Sequence, residues 1–180
     1  MASKEETQKE KWMGYLALST AIMAVLAALT TLYMGKFSSR AIMAQGQESN
    51  EWAFYQAKSI KQHSFEMGNH ALSLQLRSQK GLPADVAADY AKTIAKYGAE
   101  VKRYDAEKKG IKDKAEGIAK TKNKAQEMGG NFAYALIFLQ IAIMLASLAS
   151  LTKRHYLWHI ALVCTIGWLF FFLDAWLLFY

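Results

Sequence analysis

The sequence predicts an all-α membrane protein in which a long antiparallel helical hairpin, a coiled coil, stands between the first and second of three transmembrane helices. Three observations predict it. Residues 12–34, 131–151 and 156–180 hold one Asp/Glu/Lys/Arg side chain between them, Asp174. Every Lys and Arg lies outside these stretches. The lysine-rich region between the first two divides at Gly81-Leu82-Pro83 into two arms of equal length, about 36–80 and 84–128. The averages alone, 53% hydrophobic and 21% charged, resemble those of a soluble domain. The distribution decides, because a soluble helix needs a polar face along its whole length.

A polar N-tail, 1–11, precedes the first transmembrane helix, 12–34, which reads WMGYLALSTAIMAVLAALTTLYM. At ~1.5 Å per residue it crosses a hydrocarbon core of ~30 Å. Trp12, Tyr15 and Tyr33 mark its ends, as amphipathic rings do at an interface. The run is too long for a signal-peptide core and no small-x-small cleavage site follows it, so an uncleaved anchor is expected. Its alanines, Ala21, Ala24, Ala27 and Ala28, would admit a neighbouring helix.

The extramembrane region is 35–130, with its turn near 81–83. Glycine suits the residue after a helix end and proline the first position of the next helix. On the second arm Tyr90, Ile94, Tyr97, Val101, Tyr104, Lys108, Ile111, Ala115, Ile118, Lys122 and Ala125 alternate by four and three, the spacing of a coiled-coil seam, with Lys108 and Lys122 as polar breaks. The first arm offers a looser stripe, Met43, Ala53, Ala57, Ile60, Met67, Ala71 and Leu74, flanked by Phe54, Phe65, Leu72 and Leu76. Together the arms hold more apolar side chains than one two-helix seam needs, so association of copies is expected.

Gly129 and Gly130 predict a bend or break before the second transmembrane helix, 131–151. Ala142, Ala146, Ala149 and Ser150 form its small-residue face, and Gln140 is its one strongly polar group. The link 152–155, Thr-Lys-Arg-His, is so short that the third helix, 156–180, must return antiparallel to the second. Lys153 and Arg154 in a tight link favour a cytoplasmic N-terminus and a periplasmic hairpin; the Lys/Arg near the membrane ends of the hairpin argue the other way.

The formal charge is +7. Basic residues in such a chain set orientation or meet anionic lipid, so membrane lipid is the expected contact and nucleic acid is not. The Lys-rich stretch from Lys108 to Lys124 suits headgroups as well as a plain solvated face. Cys164 is the single cysteine and has no intrachain partner.

The densest local feature is Trp52-Ala53-Phe54-Tyr55-Gln56-Ala57-Lys58-Ser59-Ile60-Lys61. Three aromatics in four positions cannot share one helix face. They are read either as hairpin and oligomer core or as a partner-binding surface of Trp52, Phe54, Tyr55, Lys58 and Lys61. His63, Glu66 and His70 fall near one helix face and are the candidate metal ligands, but nothing elsewhere in the arms completes a site. Asp174 and Gln140 are the polar groups within the apolar stretches, where ionisable side chains are costly and often functional. His155 and His159 lie at the opposite end of the third helix from Asp174. No phosphate loop, nucleophile constellation or carboxylate pair is present, so no enzyme activity and no cofactor is expected.

The chain resembles a bacterial membrane-protein family catalogued as a domain of unknown function (family 4337). The resemblance rests on Trp12-x-x-Tyr15-Leu16-Ala17-Leu18-Ser19-Thr20-Ala21-Ile22 and on Trp52-Ala53-x-Tyr55-Gln56-Ala57-Lys58-Ser59-Ile60-Lys61. It implies a bacterial inner-membrane location and no activity. The sequence therefore favours a structural, scaffold or accessory membrane protein, a homo-oligomer or a subunit of a larger membrane complex. A small oligomeric transport or channel protein using the intramembrane polar residues is the alternative.

Overall fold

A computed structural model describes residues 2–79 and 81–177, with side chains from Lys11 onward. The described backbone forms three helices, α1 (Ala2–Ser78), α2 (Ala84–Thr152) and α3 (His155–Leu177), and no strand. Each contains a segment long and apolar enough, by length and composition, to cross a membrane. The polar N-tail expected at 1–11 is no separate element, since α1 is already helical at Ala2. Met1, Lys80 and residues 178–180 lie outside the described residues, so the expected end of the third apolar stretch at Tyr180 does too.

Two short connections separate the helices. The chain leaves α1 through Gly81, whose φ of 89° lies in the left-handed region that glycine adopts without penalty. Pro83 enters α2, and the Ala87 N–H donates to its carbonyl at 3.0 Å. Between α2 and α3 stand only Lys153 and Arg154, with Lys153 at φ 57°. A non-glycine residue held there costs ~1 kcal/mol, a measure of how tightly the two helices fix their link.

Gly129 and Gly130 do not break the chain. The helix runs through both. Gly129 is buried instead, and a Cβ placed on it would stand 3.4 Å from Ser38 Oγ and 3.8 Å from Phe37 Cβ. The glycine is there for close approach of α1, a use that local sequence cannot distinguish from a turn.

Contacts divide the chain into two units, Met1–Ile42 with Thr121–Tyr180, and Met43–Lys120. In the first, α2 presents a ridge of fully buried alanines, Ala135, Ala142, Ala146 and Ala149, with Leu139 among them. Ser150, expected on that face, is exposed. Leu16 and Met23 of α1 and Ala161 of α3 pack against this ridge. Ala21, Ala24 and Ala28, expected to receive a helix, are exposed and Ala27 is half-buried. A close helix pair needs small residues on one side only, and here α2 supplies them while α1 fills the space with longer chains. At the other end Phe132 is enclosed by Tyr33 and Phe37, with ring centroids 5.5 and 5.7 Å away, and by Phe172 at 5.3 Å.

In the second unit α1 and α2 pack along their length. Glu51 pairs with Lys114, Lys58 with Glu107, Phe65 with Tyr104 and Tyr97, and Asn69 with the Ile94 carbonyl. The numbers rise on one helix as they fall on the other. Every α2 position expected in the seam within this unit, from Tyr90 to Ile118, is buried or half-buried. The stripe expected on α1 is not: Met43, Ala53, Ala57, Ile60, Met67, Ala71 and Leu74 are all exposed. Tyr55, Lys58, Gln62, Phe65, Asn69, Leu72 and Leu76 take the inward face. Three of these are polar: Lys58 lays an apolar stem along the seam and pairs its ammonium with Glu107, Asn69 donates to the Ile94 carbonyl, and Gln62 turns its amide oxygen inward, so hydrophobicity alone misplaces the seam.

Two glycines in this unit make a matched test. A Cβ on Gly68 would lie 2.8 Å from the Tyr97 ring, whereas nothing stands within 4 Å of one on Gly110. Gly110→Ala should therefore stabilise the helix by about 1 kcal/mol. Gly68→Ala gains the same propensity but overpacks Tyr97, and should come out about 1 kcal/mol destabilising. Urea unfolding of the full chain in mild detergent, followed by helical circular dichroism, checks both signs.

Candidate functional site

The segment from Trp52 to Lys61 is split by its helix. Residues three and four apart share a face, so Trp52 and Tyr55 turn the same way, their rings 5.6 Å apart and nearly perpendicular. Lys108 of α2 places its ammonium 5.4 Å from the Tyr55 ring centroid. The expected polar break is thus a cation over an aromatic face. One turn on, Lys58 Nζ lies 2.6 Å from Glu107 Oε2 and 5.3 Å from the Tyr104 ring. Arg103 stacks over that ring at 4.8 Å and reaches Glu100 at 2.7 Å and Glu107 at 3.5 Å.

The electrostatics follow from this clustering. The Glu107 carboxyl is held below its usual pKa, first by the hydrogen bond from Lys58; burial opposes this, and the charges of Lys58, Arg103 and Lys61 add to the lowering. Arg103 is pushed up, chiefly by its contact with Tyr104. The cluster stabilises charge in place and links the two helices; it sets no general base beside a nucleophile.

Of the five residues expected to meet a partner, Tyr55 and Lys58 are therefore half-buried against α2 and Trp52 is half-buried beside Tyr55, while Phe54 and Lys61 are exposed. His63 lies 3.6 Å from Glu66 on the exposed side of α1, and Glu66 also accepts from Gln62 at 3.1 Å. Among the described residues no group of three or more His, Cys, Asp or Glu is spaced to hold a metal ion, so His63, Glu66 and His70 are not brought together as a site.

In the first unit Gln140 is exposed on α2. Asp174 accepts a 2.7 Å hydrogen bond from Asn131 Nδ2. His155 lies against Trp12, ring centroids 4.1 Å apart. Two further cross-helix bonds have no signal in the sequence: Trp158 Nε1 donates to Ser19 Oγ at 3.1 Å, and Trp168 Nε1 to Thr30 Oγ1 at 3.0 Å. Thr30 is fully buried and its hydroxyl also donates to the Leu26 carbonyl at 2.7 Å. Thr20, Thr31, Ser147 and Thr152 make the same local bond without a second partner among these contacts, so nothing local singles out Thr30. Asn69, whose Nδ2 donates to the Ile94 carbonyl at 3.0 Å, is equally unmarked in the sequence. An amide in a helix reads as a surface residue until its neighbour is known.

The depressed Glu107 carboxyl sets a pH dependence. A group whose pKa is lower folded than unfolded stabilises the fold above its unfolded pKa, and that contribution is lost as pH falls through the folded value. Acidification below about pH 4 should therefore loosen the α1–α2 pairing. In Glu107→Gln the unfolding midpoint should be lower at neutral pH and should fall less on going to acid. Thermal scans of both proteins at neutral and acidic pH provide the comparison.

No curated protein and no solved structure matches the chain. A family model does, over residues 12–178, which takes in both motifs and most of all three helices. The chain belongs to that family, described as Domain of unknown function (DUF4337).

Proposed function

We propose that this protein is a non-enzymatic scaffold or accessory protein of the bacterial inner membrane that assembles through its helices, as a homo-oligomer or as a subunit of a larger membrane complex. The observation that carries the reading is the outward face of α1 in the second unit. Met43, Phe54, Ile60, Met67 and Leu74 are 68%, 60%, 68%, 61% and 52% exposed. Ile60, Met67 and Leu74 are seven residues apart, the repeat of a helix seam, while the inward seam of α1 is already filled. A regular apolar stripe facing water is the mark of a surface meant to be covered.

Membrane insertion is part of the same proposal. Leu18, Ile22, Val25, Leu29 and Leu32 of α1 are exposed, as are Val163, Ile166, Leu169, Phe170 and Leu173 of α3. Lipid accepts such a surface and water does not. The N-terminus is cytoplasmic in this reading and the hairpin periplasmic, because Lys153 and Arg154 occupy the tight link. The paired numbers of the second unit, falling on α2 as they rise on α1, support an antiparallel coiled coil as the hairpin's form.

Two measurements test this. Carbonate washing should leave the chain in the membrane pellet; release without detergent overturns the insertion. The full chain in mild detergent should then run, by native mass spectrometry, as a defined oligomer or with a stoichiometric partner. Ile60→Glu with Met67→Glu should shift it to the monomer while its helical content stays unchanged. A wild-type chain that is monomeric at every concentration and brings no partner with it overturns the assembly.

A further inference from the structure

Two adjoining grooves in the first unit join cations that make no ion pair among the described residues to an apolar trough; Lys36 lies 5.7 Å from the Phe37 ring centroid. The outer groove, about 330 Å³, is walled by Arg40 and Thr121 with Lys124, and floored by Phe37 and Met128. The inner one, about 130 Å³, shares Phe37 and Met128 and adds Tyr33, Lys36 and Trp176. Lys36, Arg40 and Lys124 are exposed and make no ion pair among the described residues. The nearby Asp174 carboxylate is held by Asn131. Glu127, three residues from Lys124, forms no ion pair with it.

We propose that these grooves bind one anionic phospholipid, its headgroup phosphate between Arg40 and Lys124 and an acyl chain along Phe37, Met128 and Trp176. A guanidinium and an ammonium facing one cleft match a phosphate, which Arg grips through two N–H groups at once. The floor is aromatic and aliphatic, so a free phosphate leaves half of the site unused, whereas an amphiphile fills both halves. The depth fits as well. Arg40 follows the uncharged stretch that ends at Met34 by six residues and Lys124 precedes the one that begins at Asn131 by seven, ~9–10 Å of helix, which leaves the headgroup layer within reach of side chains of their length. Headgroups occupy the ~5–8 Å outside each face of the hydrocarbon core. Tyr33 and Trp176 stand where interfacial rings belong.

The inference rests on the membrane reading above, and its test separates the two. Full-length protein is carbonate-washed, purified and reconstituted in phosphatidylcholine bilayers with graded phosphatidylglycerol. Retained lipid is then counted by native mass spectrometry. Wild type should hold one phosphatidylglycerol per chain in preference to phosphatidylcholine. Each cation is worth about fivefold, so Arg40→Gln with Lys124→Gln should lower that preference about twenty-five-fold. Lys92→Gln with Lys96→Gln, the same charge change on exposed positions of the second unit, should leave it unchanged. Higher salt should weaken the preference in wild type and leave the residual binding of the double variant less affected.

Equal retention of both lipids by a chain that stays in the carbonate pellet overturns the lipid site alone. Equal losses from the two double variants overturn it too, by showing bulk charge at work. Displacement of the lipid by inorganic phosphate or by an acidic peptide at equal concentration reassigns the groove to a water-soluble anion. Release by carbonate overturns the membrane reading, and the lipid site falls with it.

Discussion

Side chains seven residues apart on α1 meet side chains seven apart on α2, and the packing of each unit is organised by that repeat. In the first unit α1 buries Leu16, Met23, Thr30 and Phe37, and α2 buries Ala125, Phe132, Leu139 and Ala146. In the second, Glu51, Lys58, Phe65 and Leu72 of α1 are turned toward α2, which offers Tyr90, Tyr97, Tyr104, Ile111 and Ile118. The numbers on each helix belong to one arithmetic series although the chemistry changes completely between the units. Spacing selects the face; the residue type says only what fills it.

The filling differs for a physical reason. Where the helix is apolar throughout, hydrophobicity cannot choose an inward face, so fit and hydrogen bonding do. Alanines let the backbones approach, and three polar pairs are matched across helices, Trp158 to Ser19, Trp168 to Thr30 and Asn131 to Asp174, while the buried Trp12 Nε1 finds no acceptor among the described residues. Cross-helix bonds of this kind are worth about 0.6 kcal/mol each, enough to fix register though not to drive association. Where the helix is charged, the inward face combines aromatic rings with cations. Lys58, Arg103 and Lys108 lie over Tyr104 and Tyr55, and Glu107 neutralises two of the three.

This inward arrangement uses up most of the side chains whose chemistry drew attention, and what remains for function lies outside it. The outward stripe of α1 is apolar and regular, and supports assembly. The cations of the first-unit groove make no ion pair among the described residues and border an apolar trough, and support a lipid. Both readings describe a protein that works by what it holds together.

The sequence by itself determined the three apolar stretches, the turn at Gly81-Leu82-Pro83, the short link before α3 and which positions of α2 turn inward. Uncharged stretches, a Gly-Leu-Pro and a regular alternation of apolar residues are properties of the chain read along its length. It also carried enough of the family's pattern in residues 12–61 for the family to be recognised. It left undecided which face of α1 turns inward, whether Gly129 bends or packs, and which threonine matters. Each of those depends on the surface opposite. Lys58 is a seam residue because Glu107 and Tyr104 await it, Gly129 is a contact because Ser38 lies against it, and Thr30 is buried because Trp168 crosses it. An amphipathic side chain or a glycine has two low-energy uses, and only the neighbour brought by tertiary packing chooses between them.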